Sequence, residues 1–248
     1  LSYQILTIIL PIITVPYVTR IFNPTLMGSY NFTSSITTYF TMFGMLGIIT
    51  YGSNQIAKVS HRGKQEISKV FSSVYYFQLI STTIATLLYI FYIFAFPGQY
   101  QQYFVVQIFS LIAIMFDISW LFQGLEDFRK ITVRNITVKL IGVISIFLFI
   151  KSQNDLYLYV FLLTIFEFLG QLSMWLPALE FIGKPQFDFN YAKKHLKPVI
   201  LLFLPQIAIS LYVTLNRTML GALASTTDVG IYDQSLKLVN ILLTLVTS

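Results

Sequence analysis

The feature that most constrains this chain is a series of long apolar runs separated by short, more polar gaps. Eight runs can be distinguished, at about 1–19, 28–50, 70–96, 104–122, 135–150, 157–179, 198–219 and 229–248. Each run is close to the ~20 residues that an α-helix needs to cross a bilayer. Helices satisfy their own backbone groups in lipid, and none of the runs alternates in polarity as a barrel strand does. The pattern therefore predicts an all-α fold, a polytopic membrane helical bundle.

The basic residues predict how this bundle is oriented. Eleven of the 16 Lys and Arg lie in only three gaps, at 51–69, 123–134 and 180–197. Loops rich in Lys and Arg are retained in the cytoplasm, so these three loops are predicted to be cytoplasmic. The first and third each hold a basic segment that can lie as a helix on the membrane surface. The net charge of +6 then belongs to one membrane face, where anionic lipids are a better partner than nucleic acid.

The chain offers little for catalysis. It has no cysteine, which excludes disulfides, thiolate metal sites and cysteine nucleophiles. His61 and His195 lie in basic loops without a nucleophile and an acid nearby. We therefore expect no catalytic residues, no metal site, no cofactor and no enzyme activity. The sequence starts at Leu1 and stops at Ser248, both inside apolar runs, so we also expect a piece of a longer protein.

Two parts of the chain resemble each other. Leu-Pro at 10–11, Tyr-Val-Thr at 17–19 and Arg20 recur as Leu-Pro at 204–205, Tyr-Val-Thr at 212–214 and Arg217. Gly-Ser-Tyr-Asn at 28–31 recurs as Gly-Ile-Tyr-Asp at 230–233. Both copies have the same predicted direction and are six spans apart, as in a parallel repeat of two bundles. The prediction is an N-terminal six-helix lobe with a cytoplasmic linker over 1–197, followed by the first two helices of a second lobe over 198–248.

Several charged residues interrupt the apolar runs near the repeated segments. Arg20 and Arg217 end the first and seventh runs at apparently equivalent outer positions. Each either reaches to lipid headgroups or faces a central cavity, where a guanidinium can hold a phosphate through two hydrogen bonds. Asp233 and Lys237 lie four apart on the eighth run and either neutralise each other or line the same cavity. In the second run the corresponding position is Asn31.

Two carboxylates stand apart from these cations. Glu167 lies near the middle of the sixth run, so it must be buried in protein, protonated or exposed to a wet cavity. It is a candidate for coupling transport to protons or cations, and a structural hydrogen-bonding role is an equal alternative. Asp117 lies near the cytoplasmic end of the fourth run, where we expect an interfacial carboxylate capped by the 123–134 loop. Lys139, close to the cytoplasmic end of the fifth run, is interpreted as reaching to headgroups.

Three segments carry a resemblance to a known family. The stretch at 117–128 reads Asp-Ile-Ser-Trp-Leu-Phe-Gln-Gly-Leu-Glu-Asp-Phe and is continued by Arg-Asn at 134–135. Together with 20–31 and 46–58, it resembles bacterial polysaccharide flippases of the multidrug/oligosaccharidyl-lipid/polysaccharide exporter superfamily. The family usually has Leu-Gly-Pro where this chain has Phe-Asn-Pro at 22–24, which changes a turn residue. The resemblance covers nearly all of the chain.

The resemblance implies a fold and a task. Family members have 12 to 14 helices in two lobes, and work by alternating access. The implied task is to move an undecaprenyl-diphosphate-linked oligosaccharide across the bacterial cytoplasmic membrane for capsule or exopolysaccharide synthesis. The implied partners are this lipid-linked oligosaccharide, membrane lipids and polysaccharide polymerase machinery. Arg20 and Arg217 are the positions that match diphosphate-binding arginines of related flippases.

Three other functions remain open at this stage. A cation-coupled multidrug exporter of the same superfamily would use Glu167 or Asp117 as its coupling carboxylate. A membrane-embedded glycan polymerase or ligase should have a long outer loop with clustered charged residues, and the outer loops here are all short. A structural membrane subunit would not explain matched charges inside a repeat.

Overall fold

The computed structural model describes residues 2–183 and 189–247, with side chains for 10–183 and most of 198–239. The regular structure of this part is helical. Eleven α-helices follow one another: α1 Ser2–Ile21, α2 Pro24–Met45, α3 Ile48–Val59, α4 Lys64–Ala95, α5 Gln101–Met115, α6 Ser119–Gly124, α7 Phe128–Phe149, α8 Leu156–Ser173, α9 Trp175–Ala178, α10 Phe189–Leu223 and α11 Thr226–Thr247. Short 3₁₀ turns at Ser60–Arg62 and Gln153–Asp155 connect α3 to α4 and α7 to α8.

The helices have the length and surface of membrane-spanning segments. Within the described residues, five stretches are long and apolar enough to cross a bilayer, and α10 adds a sixth if its two bent parts form one span. Large apolar side chains such as Phe91 and Phe94 point outward with 70% and 73% of their surface exposed. Such a surface is unfavourable in water and suits contact with lipid. The prediction of an all-α polytopic membrane bundle is confirmed.

Helices occupy much of what was predicted as cytoplasmic loop. Helix α3 and the start of α4 cover most of 51–69, so interpreting this segment as a loop is wrong. Nor does α3 lie free on a membrane surface, because it buries Ile48, Tyr51 and Ile56 in the main hydrophobic core. Helix α7 likewise begins inside the predicted loop 123–134.

The third predicted loop, at 180–197, is also partly helical. Helix α10 begins at Phe189, so the predicted lobe boundary at 197/198 falls inside a helix. Lys184 lies outside the described residues. Helix α10 bends by 48° between Pro198–Tyr212 and Thr214–Leu223, well beyond Pro205, so this bend is not centred on the proline.

The fourth apolar run is broken rather than continuous. Helix α5 ends at Met115 and α6 begins at Ser119. The buried side chain of Gln78 on α4 donates to the carbonyl oxygens of Ile114 and Asp117, at 2.8 and 2.9 Å, and accepts from the Trp120 indole at 2.9 Å. A backbone break inside a membrane needs such partners because lipid supplies none.

Helices α3 and α6 pack at very short distance around Trp120, which is fully buried. A Cβ atom added to Gly52 on α3 would lie 2.7 Å from the indole ring. One added to Gly124 on α6 would lie 2.5 Å from the carbonyl oxygen of Ser53. Only glycine permits this approach. We call α3, α6 and the first half of α4 the scaffold block.

The two repeated segments contact each other where α2 crosses α11. A Cβ atom on Gly28 would overlap the carbonyl oxygen of Thr226 at 1.5 Å, and one on Gly230 would overlap that of Pro24 at 2.0 Å. In the register that pairs Gly28 with Gly230, Pro24 pairs with Thr226. The two contacts are therefore reciprocal, as at a two-fold axis.

The same crossing contains one further matched contact. The hydroxyls of Thr25 and Thr227, which pair in this register, lie 2.8 Å apart and share a hydrogen bond. The division into two lobes stays a prediction, and this reciprocal contact favours it. By the predicted orientation, the contact lies at the outer ends of both helices.

Candidate functional site

A cavity of about 420 Å³ opens between α1, α7, α8 and α11. Helix α1 contributes mainly apolar wall, whereas the other three helices also bring polar side chains. These are Arg134, Asn135 and Lys139 from α7, Glu167 and Gln171 from α8, and Gln234 and Lys237 from α11. Three cations and one carboxylate thus line a cavity between apolar helices, a combination that suits an anionic ligand with polar substituents.

The pairing of α7 with α8 positions the first group of side chains. Gly170 allows the two helices to approach, since a Cβ atom there would lie 2.8 Å from the Val138 side chain. One residue further along α8, Gln171 accepts a hydrogen bond from the Arg134 guanidinium at 2.5 Å. Because Asn135 and Lys139 are four apart, they extend the polar face of α7 by about one turn.

Glu167 lies one turn before Gln171 and has an exposed side chain on the cavity wall. Its Oε2 accepts a hydrogen bond from the Ser110 hydroxyl of α5 at 2.8 Å. Of the three environments expected for this carboxylate, the structure shows the open cavity. One oxygen is thereby held in place while the group remains accessible to a ligand or an ion.

The second group of charges is an ion-pair trio between α10 and α11. Asp233 is only 1% exposed. Its Oδ1 lies 2.5 Å from the Arg217 guanidinium, and its Oδ2 lies 2.8 Å from the Lys237 ammonium. A buried carboxylate is tolerated when it is paired in this way. The trio retains one positive charge, and Lys237 brings that charge to the cavity.

Arg20 and Arg217 do not occupy equivalent positions, contrary to the sequence interpretation. Both helix pairs have a two-residue connection, with α1 ending at Ile21 before Pro24 and α10 ending at Leu223 before Thr226. Arg20 is the next-to-last residue of α1, whereas Arg217 lies five residues deeper in its helix, or ~7.5 Å at 1.5 Å per residue. Arg20 is exposed and is not among the cavity-lining residues.

Two other predicted residues are buried away from the cavity. Asn31 is buried on α2, at the position that pairs with Asp233 in the repeat. Asp117 is buried at the break between α5 and α6, where its Oδ1 accepts from the Ser119 amide at 2.9 Å. Asp117 is thus capped by the first turn of α6 and not, as expected, by the 123–134 loop. Neither residue is among those that line the cavity.

Sequence reasoning missed Arg134 and Lys139 as site residues. Arg134 was assigned to a loop, and Lys139 was interpreted as reaching to headgroups. A usable signal was present in the spacing, because Asn135 and Lys139 on one run, and Glu167 and Gln171 on the next, are both polar pairs four residues apart. Two such faces on consecutive membrane helices favour a shared polar cavity over isolated surface contacts.

Comparison with known proteins agrees with this architecture. The family described as "Polysaccharide biosynthesis protein" matches residues 1–248. A relative from Escherichia coli (strain K12), described as "Putative O-antigen transporter", is 24% identical over 230 residues, covering 91% of this chain and 55% of that protein. A relative from Shigella dysenteriae with the same description is 28% identical over 175 residues, covering 67% of this chain and 42% of that protein.

The chain spans about half the length of the curated relatives it matches. No solved structure was found to match it. The family match, however, extends over every residue of the chain and includes the signature at 117–128 and the helices that form the cavity. The chain therefore belongs to the polysaccharide biosynthesis protein family, as the sequence resemblance to polysaccharide flippases had indicated.

Proposed function

We propose that this protein moves an undecaprenyl-diphosphate-linked oligosaccharide repeat unit from the inner to the outer leaflet of the bacterial cytoplasmic membrane. The observation that carries the proposal is the cavity lined by Arg134, Lys139 and Lys237 within a bundle of apolar helices. The description of two relatives as O-antigen transporters supports the same substrate class. The family membership and the membrane fold supply the setting.

The chemistry of the cavity suits the polar part of such a substrate. A diphosphate and a sugar chain cannot pass through hydrocarbon unaided, because charged and hydroxyl groups lose their hydration there. The three cations offer charge-assisted hydrogen bonds to phosphate oxygens. Glu167, Gln171 and the amides of Asn135 and Gln234 offer acceptors and donors for sugar hydroxyls. Translocation needs no covalent step, so side chains only have to bind and release.

The arginines singled out from the sequence take different roles in this proposal. Arg217 holds Asp233, and Asp233 in turn holds Lys237 at the cavity wall. Arg217 is therefore a positioning residue, and Lys237 is the group that contacts the diphosphate. Arg20, exposed at the outer end of α1, contacts lipid headgroups.

Alternating access requires that one side of the cavity open while the other is closed. The reciprocal contact between α2 and α11 at Gly28 and Gly230 joins the predicted outer ends of these helices. We propose that it closes the outer side in this conformation and separates when the substrate leaves. The matched threonine pair Thr25 and Thr227 is broken in the same movement.

The double variant Lys139→Ala/Lys237→Ala in the full-length protein tests the proposed function. Surface polysaccharide should fall at least ten-fold, lipid-linked oligosaccharide should accumulate in the cytoplasmic leaflet, and membrane insertion should stay normal. Lys151→Ala is the matched control, because Lys151 is exposed in the connection between α7 and α8, away from the cavity. Wild-type polysaccharide in cells with the double variant would overturn the proposal.

A further inference from the structure

A second cavity, of about 730 Å³, lies along α7 and α8 and is largely apolar. Val133 and Ile141 of α7 and Leu169 of α8 line it, with 55%, 46% and 47% of their surfaces exposed. Arg129 and Lys130 lie at the end where α7 begins, which is the predicted cytoplasmic end. We call this second cavity the apolar groove. In the membrane it would be filled by lipid chains, since its lining favours hydrocarbon over water.

The apolar groove is continuous with the polar cavity of the functional site. Four residues line both: Arg134, Val138, Phe166 and Gly170. We call this boundary between α7 and α8 the seam. The seam is closed by the contact of Gly170 with Val138 and by the hydrogen bond from Arg134 to Gln171. A cation therefore stands at the junction between an apolar compartment and a polar one.

Helix α7 is weakly held along this half of its length. Its buried residues are Ser145 and Ile146, both towards the predicted outer end. The residues beside the groove, from Val133 to Ile141, are exposed or only partly buried. Little apolar burial therefore opposes a movement of the cytoplasmic half of α7 away from α8. Such a movement would widen the seam without unfolding the core.

We propose that the lipid-linked substrate straddles this seam, with its polyprenyl chain in the apolar groove, its diphosphate at Arg134 and its sugars in the polar cavity. The inference rests on the proposed function. An amphipathic substrate has its diphosphate at the junction of tail and head, and the protein has its guanidinium at the junction of groove and cavity. Arginine binds phosphate oxygens through two parallel hydrogen bonds, which suits this position. The groove also lies in the half of the membrane where the proposed substrate starts.

Site-specific photocrosslinking tests the location of the tail. A benzoyl-phenylalanine at Leu169 or Ile141 in the full-length protein, in cells that make the oligosaccharide, should form adducts from which mild acid releases the glycan. The control positions are Leu87 on α4 and Leu148 at the outer end of α7, which are 61% and 62% exposed. Glycan-bearing adducts should be at least five-fold more abundant at Leu169 and Ile141 than at the controls.

The variant Arg134→Gln links these adducts to the diphosphate. It should reduce the glycan-bearing adducts at Leu169 at least five-fold without changing the amount of protein in the membrane. Arg134→Lys retains the charge and should restore part of the signal. An undiminished adduct in Arg134→Gln would overturn the assignment of the diphosphate to this residue.

The inference and the proposed function fail in different ways. Phospholipid adducts alone at Leu169 and Ile141, in a protein whose transport still depends on Lys139 and Lys237, would overturn the seam and leave the function standing. A resident anionic phospholipid would then be the occupant of the groove. Normal transport in the double lysine variant would overturn the proposed function, and the substrate path through the seam with it.

Discussion

The scaffold block and the cavity side of this protein are built on opposite principles. Around Trp120, the side chains are buried, two glycines bring helices into contact, and Gln78 satisfies the polar groups left by a broken helix. On the cavity side, α7 buries little and presents Arg134 and Lys139 to open space. The comparison teaches that the signature at 117–128, which identifies the family, belongs mainly to packing. The transport chemistry lies in other helices.

Within the repeat the same contrast recurs on a smaller scale. Helices α2 and α11 share their starting turn and their reciprocal glycine contact. Further along, α2 carries Asn31 and Ser35, where α11 carries Asp233 and Lys237. The Ser35 hydroxyl shares a hydrogen bond with Thr218 of α10 at 3.0 Å, whereas Lys237 lines the cavity. Matched backbones therefore carry one structural face and one charged face.

Trp120→Ala should have the largest effect, because it removes the centre of the scaffold block. Truncating a fully buried aromatic residue costs about 3–5 kcal/mol, and the Gln78 side chain would also lose its indole donor. We expect a large loss of folded protein in the membrane and a lower Tm in detergent, measured by fluorescence-detected size exclusion. Phe94→Ala, on an exposed outer face, is the control and should change little. An unchanged Tm for Trp120→Ala would break the comparison.

Linking α2 to α11 should stop transport while leaving both regions folded. The chain has no cysteine, so the pair Thr25→Cys/Thr227→Cys adds the only thiols, at hydroxyl positions now 2.8 Å apart. Mild oxidation should form a disulfide and abolish polysaccharide export, and a reductant should restore it. The control pair Thr38→Cys/Thr227→Cys lies about 20 Å apart along α2 and should not crosslink. Export that continues in the crosslinked protein would show that this contact need not open.

Asp233→Asn should weaken the cavity side through the ion-pair trio. Removing one partner from a buried ion pair is destabilising, but Arg217 and Lys237 retain 29% and 34% side-chain exposure, so water offsets part of the cost. We expect about a ten-fold loss of export, consistent with a displaced Lys237, and a small decrease in Tm. Adding Arg217→Gln should recover stability by removing the excess charge, which a double-mutant cycle would measure. Additive losses in that cycle would contradict coupling within the trio.

These residues show how far the sequence alone could go. Run length and hydropathy predicted the membrane bundle, and the four-residue spacing predicted that Asp233 and Lys237 share a face. The amphipathic α3 was mistaken for a loop because its polar side chains, such as Asn54 and Lys58, lower its hydropathy although Ile56 is fully buried. The pairing of Arg217 with Asp233 depends on how α10 packs against α11, which periodicity does not encode.

Glu167→Gln should have a moderate effect that separates coupling from scaffolding. Glutamine has nearly the same shape and still accepts from Ser110, so the fold and the cavity should be unchanged. If the carboxylate couples transport to protons, export should fall several-fold and lose its sensitivity to a protonophore. Ser110→Ala removes the hydrogen bond but keeps the carboxylate, and should retain that sensitivity. Normal, protonophore-sensitive export by Glu167→Gln would remove the coupling role.

Arg20→Ala should have the smallest effect, less than about two-fold on export, and it sharpens the comparison where sequence and structure disagree. The repeat suggested that Arg20 and Arg217 act as a matched pair, which predicts equal losses from either alanine variant. The structure instead leaves Arg20 exposed at the end of α1 and ties Arg217 to the buried Asp233. An exposed guanidinium beside headgroups contributes little that a neighbouring lipid or water cannot replace. Export assays of the two variants side by side therefore distinguish the alternatives: unequal losses follow from the packing of α10 on α11, whereas equal losses would restore a direct role for Arg20 in binding the diphosphate.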